Sequence, residues 1–206
     1  YKDKTLFKSK EAFCKQYKLN PNKPIVCFSG DDRLTSPFDP EYLDEMAEVF
    51  DSVEEKYKPQ IILRPSPADD GSRFIPVLEK YTNIHLALPD WYEGSNKRSW
   101  HVKFSKKNDI INLINLAYHS DAVVNVGSTM AHDFAMFLKP AFYLNYQPAK
   151  KKYTTSTTHK QNWNIKTIYK YEHFKSMGDL NPVYWIKSKD DFKRILKIIN
   201  QQDEVV

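Results

Sequence analysis

The sequence predicts an α/β protein built as one doubly wound domain, with a mainly parallel sheet and helices on both of its faces. Three observations support this prediction. Short apolar runs typical of strands buried on both faces alternate with longer amphipathic segments. The chain has 206 residues, which suits a single sizeable domain. Its apolar fraction of 41% and aromatic fraction of 14% supply the bulky side chains of a packed core.

Six short apolar runs, most of them ended by Gly, Pro or a polar residue, are predicted to be strands. They cover residues 24–30, 61–63, 84–89, 121–126, 141–144 and 183–186. Helices are predicted between and after them wherever apolar residues recur at helical spacing. They cover residues 39–57, 74–81, 130–138 and 188–199, and one further helix ends at residue 118. Asp39 is expected to cap the first of these helices before Pro40, and Asn108 or Asp109 is expected to cap the helix that ends at 118.

The remaining segments divide the chain into parts. Residues 1–23 are predicted to be a basic lead-in helix or linker, residues 24–202 the main domain, and residues 203–206 a tail. Residues 90–107 are polar and are predicted to be a loop. Within the main domain, residues 146–175 lose periodicity and are predicted to form a long basic and aromatic excursion.

Composition excludes several classes of protein. With 2 Cys and 5 Gly, the chain is not a disulfide scaffold, a Cys-based zinc ribbon or a collagen-like polymer, and Cys14 and Cys27 are expected to be reduced thiols. The net charge of +5 is too small to imply a nucleic-acid binder. The 6 His show no tight metal-ligand spacing, so no bound metal is expected. No apolar run reaches membrane-spanning length and residues 1–10 resemble no signal peptide, which predicts a cytoplasmic protein.

The turn Gly127-Ser128-Thr129 is the most informative motif, because a predicted strand runs through it directly into a helix. Gly127 lets a phosphate approach the backbone, both hydroxyls can donate hydrogen bonds, and a helix N-terminus offers free N–H groups. The alternative is that Ser128 is only the N-cap of an ordinary strand-to-helix turn. Asp133, seven positions before Pro140, adds a carboxylate that can accept hydrogen bonds from a ribose diol.

The pattern Ser120-Asp121-(x)5-Gly127-Ser128-Thr129-(x)3-Asp133-Phe134-Ala135-(x)3-Lys139-Pro140 resembles the donor-nucleotide segment in the C-terminal Rossmann-like domain of GT-B glycosyltransferases. In that family the Gly/Ser/Thr turn meets the diphosphate and an acidic residue, often Glu rather than Asp, binds the ribose. The Asp-Phe-Ala-(x)3-Lys-Pro portion also resembles the CDP-glycerol glycerophosphotransferases, which share the architecture. The resemblance implies that the chain is one half of a GT-B fold.

Two further donor-site candidates follow the first two strands. Gly30 ends the first strand and either approaches the donor or only turns the chain. Arg64 ends the second strand and serves either as a phosphate clamp or in a surface ion pair with Asp69 or Asp70.

The resemblance implies two more site residues. The loop after Arg64 is similar to the Arg/Lys-x-His-Pro loop of these families, with Ser66 in place of the His. Phe104 lies where GT-B proteins hold the base against backbone groups, and its alternative is a core filler. The paired acids Asp31-Asp32 and Asp69-Asp70 are expected to be ordinary solvated loop residues. The resemblance implies that a catalytic base comes mostly from the N-terminal domain, so none is assigned.

The excursion at 146–175 mixes lysines with aromatic residues. We expect a solvated loop folded against the domain; the alternatives are a cover for donor phosphates, a contact with anionic lipid, and, least favoured, stacking on nucleic-acid bases. The residues concerned are Lys150, Lys151, Lys152, Lys160, Lys166, Lys170 and Lys175, with Tyr153, Trp163, Tyr169, Tyr171 and Phe174.

The resemblance implies a function. It is the donor-binding domain of a glycosyltransferase that moves a sugar from a nucleoside-diphosphate sugar to an acceptor glycan or lipid-linked acceptor, without a metal. An N-terminal lobe missing from the chain would hold the acceptor, in surface polysaccharide or glycolipid synthesis. The location is cytoplasmic, or peripheral to the inner face of the membrane, and no nucleic-acid partner is expected. The alternatives are a CDP-activated polyol-phosphate transferase, a sugar-nucleotide epimerase and a non-catalytic nucleotide-binding module.

Overall fold

A computed structural model of the chain describes residues 3–93, 103–149, 152–154, 164–172, 174 and 182–201. Eight strands are found in this part of the chain: β1 Ile25–Ser29, β2 Gln60–Arg64, β3 Ile84–Leu86, β4 Trp91–Glu93, β5 Lys103–Ser105, β6 Ala122–Asn125, β7 Ala141–Leu144 and β8 Tyr184–Ile186. Its α-helices are α1 Lys10–Tyr17, α2 Asp39–Asp51, α3 Ile75–Lys80, α4 Lys107–His119, α5 Met130–Ala135, α6 Ile165–Ile168 and α7 Lys193–Gln201. The predicted tail at 203–206 and much of the excursion lie outside the described residues.

The main sheet has six parallel strands in the order β3-β2-β1-β6-β7-β8. All six strands predicted from the apolar runs are present, and the predicted α/β fold class is confirmed. Chain order runs outward from β1 to β3, then returns to β6 beside β1 and runs outward again. The strand order therefore reverses between β1 and β6, which makes the gap beyond their carboxyl ends the topological switch point of the fold.

The central strands are continuous apolar runs because both faces of the sheet are covered. Every residue of β1, β2, β6 and β7 is buried. The helices form two groups that pack among themselves, α2 with α3 and α7, and α4 with α1 and α5. Right-handed crossovers place α2 and α3 on one face of the parallel sheet and α4 and α5 on the other, and α7 returns to pack beside α2.

The N-terminal segment packs against α4 through a short chain of polar contacts. The side chain of Asn115 accepts a hydrogen bond from the Lys8 N–H at 2.7 Å and donates one to the Leu6 carbonyl at 2.8 Å. The His119 ring has its Nε2 2.9 Å from the Lys8 carbonyl and stacks on Phe13 at 4.9 Å between ring centroids. Burial lowers the pKa of His119. These contacts tie the basic lead-in segment to the main domain.

Two sequence expectations about local structure are wrong. Helix α2 begins at Asp39 and α4 at Lys107, so Asp39 and Asp109 lie inside the first turns and cap neither helix. Their carboxylates bind residues from other segments instead. Residues 90–107 also contain the antiparallel pair β4–β5, rather than a loop alone. Three-residue strands are too short to show a readable alternation in the sequence.

Among the described residues, no helix is long and apolar enough to span a membrane.

Candidate functional site

A cleft of about 470 Å³ opens at the switch point, beyond the carboxyl ends of β1, β2 and β6. Open parallel sheets bind their ligands at this position. Seven of the eight residues predicted to bind the donor line the cleft: Gly30, Arg64, Ser66, Gly127, Ser128, Thr129 and Asp133. The eighth, Phe104, does not line it. Phe104 is also no core filler, because its side chain is 65% exposed on β5.

Gly127 is required by the backbone of the β6–α5 turn. Its φ of +62° lies in the left-handed region that non-glycine residues avoid. A Cβ atom at this position would lie 3.1 Å from Phe174 Cζ and 3.2 Å from both Ile168 Cγ2 and Tyr169 Cε1. These three side chains belong to the described part of the excursion. The excursion therefore packs directly on the turn and forms one wall of the cleft.

Ser128 is held by three contacts with its surroundings. Its N–H donates to Asn125 Oδ1 at 2.8 Å, and its carbonyl accepts a hydrogen bond from the Tyr143 hydroxyl at 3.1 Å. Its Oγ accepts from the Met130 N–H at 3.3 Å. Thr129, not Ser128, is the N-cap residue of α5, and Thr129 makes no side-chain cap bond. The alternative role of Ser128 as N-cap is therefore wrong, although its hydroxyl does satisfy a backbone donor of the first turn.

Asn125 is a residue that the sequence analysis missed. It ends β6, is fully buried, and lies in register beside Ser29, which lines the cleft. Its Oδ1 fixes the turn through Ser128, whereas its Nδ2 has no hydrogen-bond partner among the described residues. A buried donor without a partner costs about 1–3 kcal/mol of stability.

Arg64 pairs with neither of the partners expected from sequence. Its Nη2 lies 2.9 Å from both Oδ1 and Oδ2 of Asp109, and both side chains are buried. Asp109 also accepts hydrogen bonds from the Asp90 N–H at 2.9 Å and from Trp91 Nε1 at 2.6 Å. The carboxylate thus joins β2, α4 and the β4 strand, and Arg64 and Trp91 both line the cleft. The surface ion pair with Asp69 or Asp70 is wrong because Arg64 is taken up by this buried cluster.

Arg73 holds the loop after β1 against the loop after β2. It donates from Nη2 to the Asp31 carbonyl at 2.6 Å and to Asp39 Oδ2 at 3.1 Å, and from Nε to Asp69. Asp39 Oδ2 also accepts the Asp31 N–H at 2.7 Å. Burial raises the pKa of Asp39 to about 7 and that of Asp31 to about 6. The expectation that Asp31 and Asp69 are ordinary solvated acids is therefore wrong.

The other predicted residues occupy distinct places on the cleft wall. Gly30 donates its N–H to the Arg64 carbonyl at 2.9 Å, and a Cβ atom there would lie 3.1 Å from Phe74 Cζ. The Ser66 hydroxyl accepts the Ala68 N–H at 3.2 Å and is buried in a local turn. Asp133 is half-buried on α5. The predicted residues that line the cleft thus come from three strand ends and one helix.

Parts of the excursion are anchored to the domain. Glu41 accepts the backbone N–H groups of Tyr153 at 2.9 Å and Thr154 at 2.8 Å, and the Tyr169 hydroxyl donates to the Leu144 carbonyl at 2.6 Å. Ile168, Tyr171 and Phe174 line the cleft. Most of the lysines of this segment, together with Trp163, lie outside the described residues.

The fold and the position of the cleft define a doubly wound, Rossmann-like α/β domain. Among solved structures, the chain is similar to the UDP-GlcNAc 2-epimerase from Methanocaldococcus jannaschii, with a TM-score of 0.52 and 10% identity over 96% of this chain and 43% of that chain. It is also similar to the ADP-heptose LPS heptosyltransferase II of E. coli, with a TM-score of 0.43 and 14% identity over 82% of this chain and 52% of that one. The chain is also similar to the wall teichoic acid polymerase TagF, with a TM-score of 0.40 and 13% identity over 98% of this chain and 48% of that chain.

The similarity to the epimerase, together with the strand order, shows a Rossmann-like α/β fold. The chain spans less than half of the epimerase, 43% of its length. No protein-family model matches the chain, and no curated protein matches it. At 10% identity the similarity describes the fold, and the chemistry has to be argued from the cleft itself.

Proposed function

We propose that this chain is the nucleotide-sugar-binding domain of a GT-B-type glycosyltransferase. The observation that carries the proposal is the meeting of the donor-site candidates on one cleft. Gly30, Arg64 with Ser66, the turn at 127–129 and Asp133 come from separate segments, and all line the same cleft at the switch point. Its volume of about 470 Å³ falls in the range of roughly 300–1,000 Å³ typical of small-molecule sites.

The cleft supports a division of labour along the donor. The turn at 127–129 lines the cleft where the diphosphate binds, and Gly127 lets a phosphate come close to the backbone. The Ser128 N–H is already donated to Asn125, and Thr129 adds a hydroxyl at the start of α5. Asp133, one turn further along the same helix, accepts hydrogen bonds from the ribose diol. During transfer, the turn stabilises the charge that develops on the departing diphosphate. A second lobe supplies the acceptor, a glycan or a lipid-linked sugar of surface polysaccharide or glycolipid synthesis, and no metal is needed.

A sugar-nucleotide epimerase is a second candidate, because the M. jannaschii protein of the same fold is named for UDP-GlcNAc. An epimerase uses the same donor cleft but needs no acceptor. Incubating the chain with UDP-GlcNAc alone and examining the sugar by NMR separates the two. A changed sugar configuration without an acceptor indicates an epimerase and overturns the transferase proposal.

Isothermal titration calorimetry with a panel of UDP-GlcNAc, GDP-mannose, ADP-heptose and CDP-glycerol, in the presence of EDTA, tests the proposal directly. We expect one nucleotide to be preferred and the variants Ser128→Ala and Asp133→Ala to weaken its binding about tenfold, since a hydrogen bond to a charged group contributes about 1.5–3 kcal/mol. Asp70→Asn, on the exposed loop after β2, is the matched control and keeps wild-type affinity. Preference for CDP-glycerol would favour a polyol-phosphate transferase. If no member of the panel binds, the proposal is wrong.

A further inference from the structure

The cleft is acidic for a site that receives a diphosphate. Its charged side chains among the described residues are Asp31, Arg64, Asp109 and Asp133. The positive charge of Arg64 is already balanced by Asp109, which holds it through both carboxylate oxygens. An anionic ligand entering beside Asp31 meets like charge, which is costly in a partly enclosed site. Something has to offset this repulsion when the ligand binds.

Asp31 is the carboxyl group best placed to respond to the ligand. It follows Gly30 at the end of β1, on the loop beside the β6–α5 turn, because β1 and β6 are neighbours with Ser29 opposite Asn125. Its backbone is fixed on both sides, by the N–H bond to Asp39 and by the bond from Arg73 to its carbonyl. These contacts fix the backbone at Asp31, and the residue lines the cleft.

Among the described residues, the charged groups around Asp31 leave its carboxyl without a strong cation contact. Its Oδ1 accepts the N–H of Asp32 at 2.8 Å, and the Asp32 carboxylate is turned to the N–H groups of Leu34 and Thr35. Arg73 joins the loop after β1 to the loop after β2. Its guanidinium donates to the carbonyls of Asp31 and Ser36 and to the carboxylates of Asp39 and Asp69. Across the cleft lie Asp133 and the closed Arg64–Asp109 pair.

We propose that Asp31 is a donor-site residue that binds the diphosphate in its protonated form, so that donor binding carries a proton into the cleft. The protonated carboxyl donates a hydrogen bond to a phosphate oxygen and removes one of the negative charges that the ligand would otherwise meet. Asp31 then contributes to the site both as a donor and as a charge regulator. This inference rests on the proposed function, because it requires a diphosphate in the cleft.

The acid–base properties of Asp31 agree with this role. Burial raises its pKa to about 6 in the ligand-free chain, against a usual value of 3.8. A bound anion disfavours the ionised carboxyl and raises this pKa further. Between the free and the bound pKa the free protein has lost the proton and the complex holds it, so binding takes up a proton. Affinity is then constant below about pH 6 and falls by up to about tenfold per pH unit above it.

Calorimetry of UDP-GlcNAc binding at pH 7 in two buffers of different ionisation enthalpy measures the proton uptake. CDP-glycerol replaces UDP-GlcNAc if it is the nucleotide that binds; both are diphosphate diesters whose phosphates do not titrate near neutrality. We expect wild-type chain to take up close to one proton per ligand in EDTA. Asp31→Asn keeps the shape and a hydrogen-bond donor, and is expected to take up no proton and to bind with a flat pH profile. Asp70→Asn keeps the wild-type uptake.

The outcomes separate the inference from the proposed function. Binding without proton uptake by the wild type overturns the inference and leaves the proposed function intact, and this measurement needs no variant to fold. Uptake that persists in Asp31→Asn but disappears in Asp133→Asn assigns the proton elsewhere and also overturns it. Binding that is lost in EDTA and restored by Mg²⁺ without proton uptake shows that a cation offsets the charge instead. If no member of the four-nucleotide panel binds, the proposed function is wrong and the inference fails with it.

Discussion

Replacing Gly127 by Ala tests whether the turn after β6 is required both for the fold and for the cleft. An alanine at a φ of +62° costs about 1–2 kcal/mol of backbone strain. Its Cβ would also lie 3.1–3.2 Å from Phe174, Ile168 and Tyr169, and overpacking of this kind costs about 1–3 kcal/mol. We therefore expect a loss of about 3 kcal/mol of unfolding free energy, or about 6–12 °C in Tm for a chain of this length.

Urea unfolding and thermal melting measure the loss, and calorimetry with the preferred nucleotide measures binding to the folded variant. Gly71→Ala is the matched control, because Gly71 also has a positive φ, of +79°, but does not line the cleft. A Cβ at Gly71 would lie 3.3 Å from Leu88 Cδ2, so this variant also loses stability. Only Gly127→Ala should lose nucleotide affinity as well. Wild-type stability of Gly127→Ala, or equal loss of affinity in both variants, would refute the reasoning.

Three further predictions concern other parts of the molecule. Asp109→Ala leaves the buried Arg64 guanidinium unpaired, and we expect a loss of about 3–5 kcal/mol in urea unfolding; a loss below 1 kcal/mol would contradict a structural role for the pair. Because burial lowers the pKa of His119, the folded chain resists its protonation and stability falls as pH drops below the unfolded value of about 6.5. We expect limited proteolysis to release the segment around Lys8 faster at pH 5 than at pH 7.5, and His119→Gln to remove this difference. Finally, Asp133→Glu should retain most of the nucleotide affinity that Asp133→Ala loses, since the carboxylate is kept; equal losses would argue against a ribose contact.

The strands and the location of the cleft could be predicted because they depend on local sequence and on one topological rule. A strand buried on both faces consists mainly of apolar residues, so β1 and β2 can be predicted from their own residues without knowledge of the neighbouring strands. Parallel strands end on the same edge of the sheet, which brings Gly30, Arg64 and Gly127 together although they are far apart in the sequence. No comparable rule exists for Phe104, which belongs to a hairpin outside the main sheet.

The partners of the buried charges could not be predicted for a related reason. Asp39 and Asp109 each stand near the start of a helix, where a carboxylate usually caps its own helix. The structure pairs them with Arg73 and Arg64 from other segments. A buried guanidinium carries a desolvation cost that only a nearby carboxylate offsets, so tertiary pairing outweighs the cap. The sequence shows which residues are charged, whereas the pairing depends on which loops the sheet brings together.

The excursion at 146–175 and the turn at 127–129 depend on one another. The space that a side chain would need at Gly127 is filled by Phe174, Ile168 and Tyr169, so the glycine permits the excursion to dock. Docking in turn places Ile168 and Phe174 on the cleft, where they extend its apolar wall. A variant that detaches the excursion, such as Ile168→Asp, should therefore weaken nucleotide binding without touching any hydrogen-bonding residue of the turn. Unchanged nucleotide affinity in a folded Ile168→Asp protein would show that the turn acts alone.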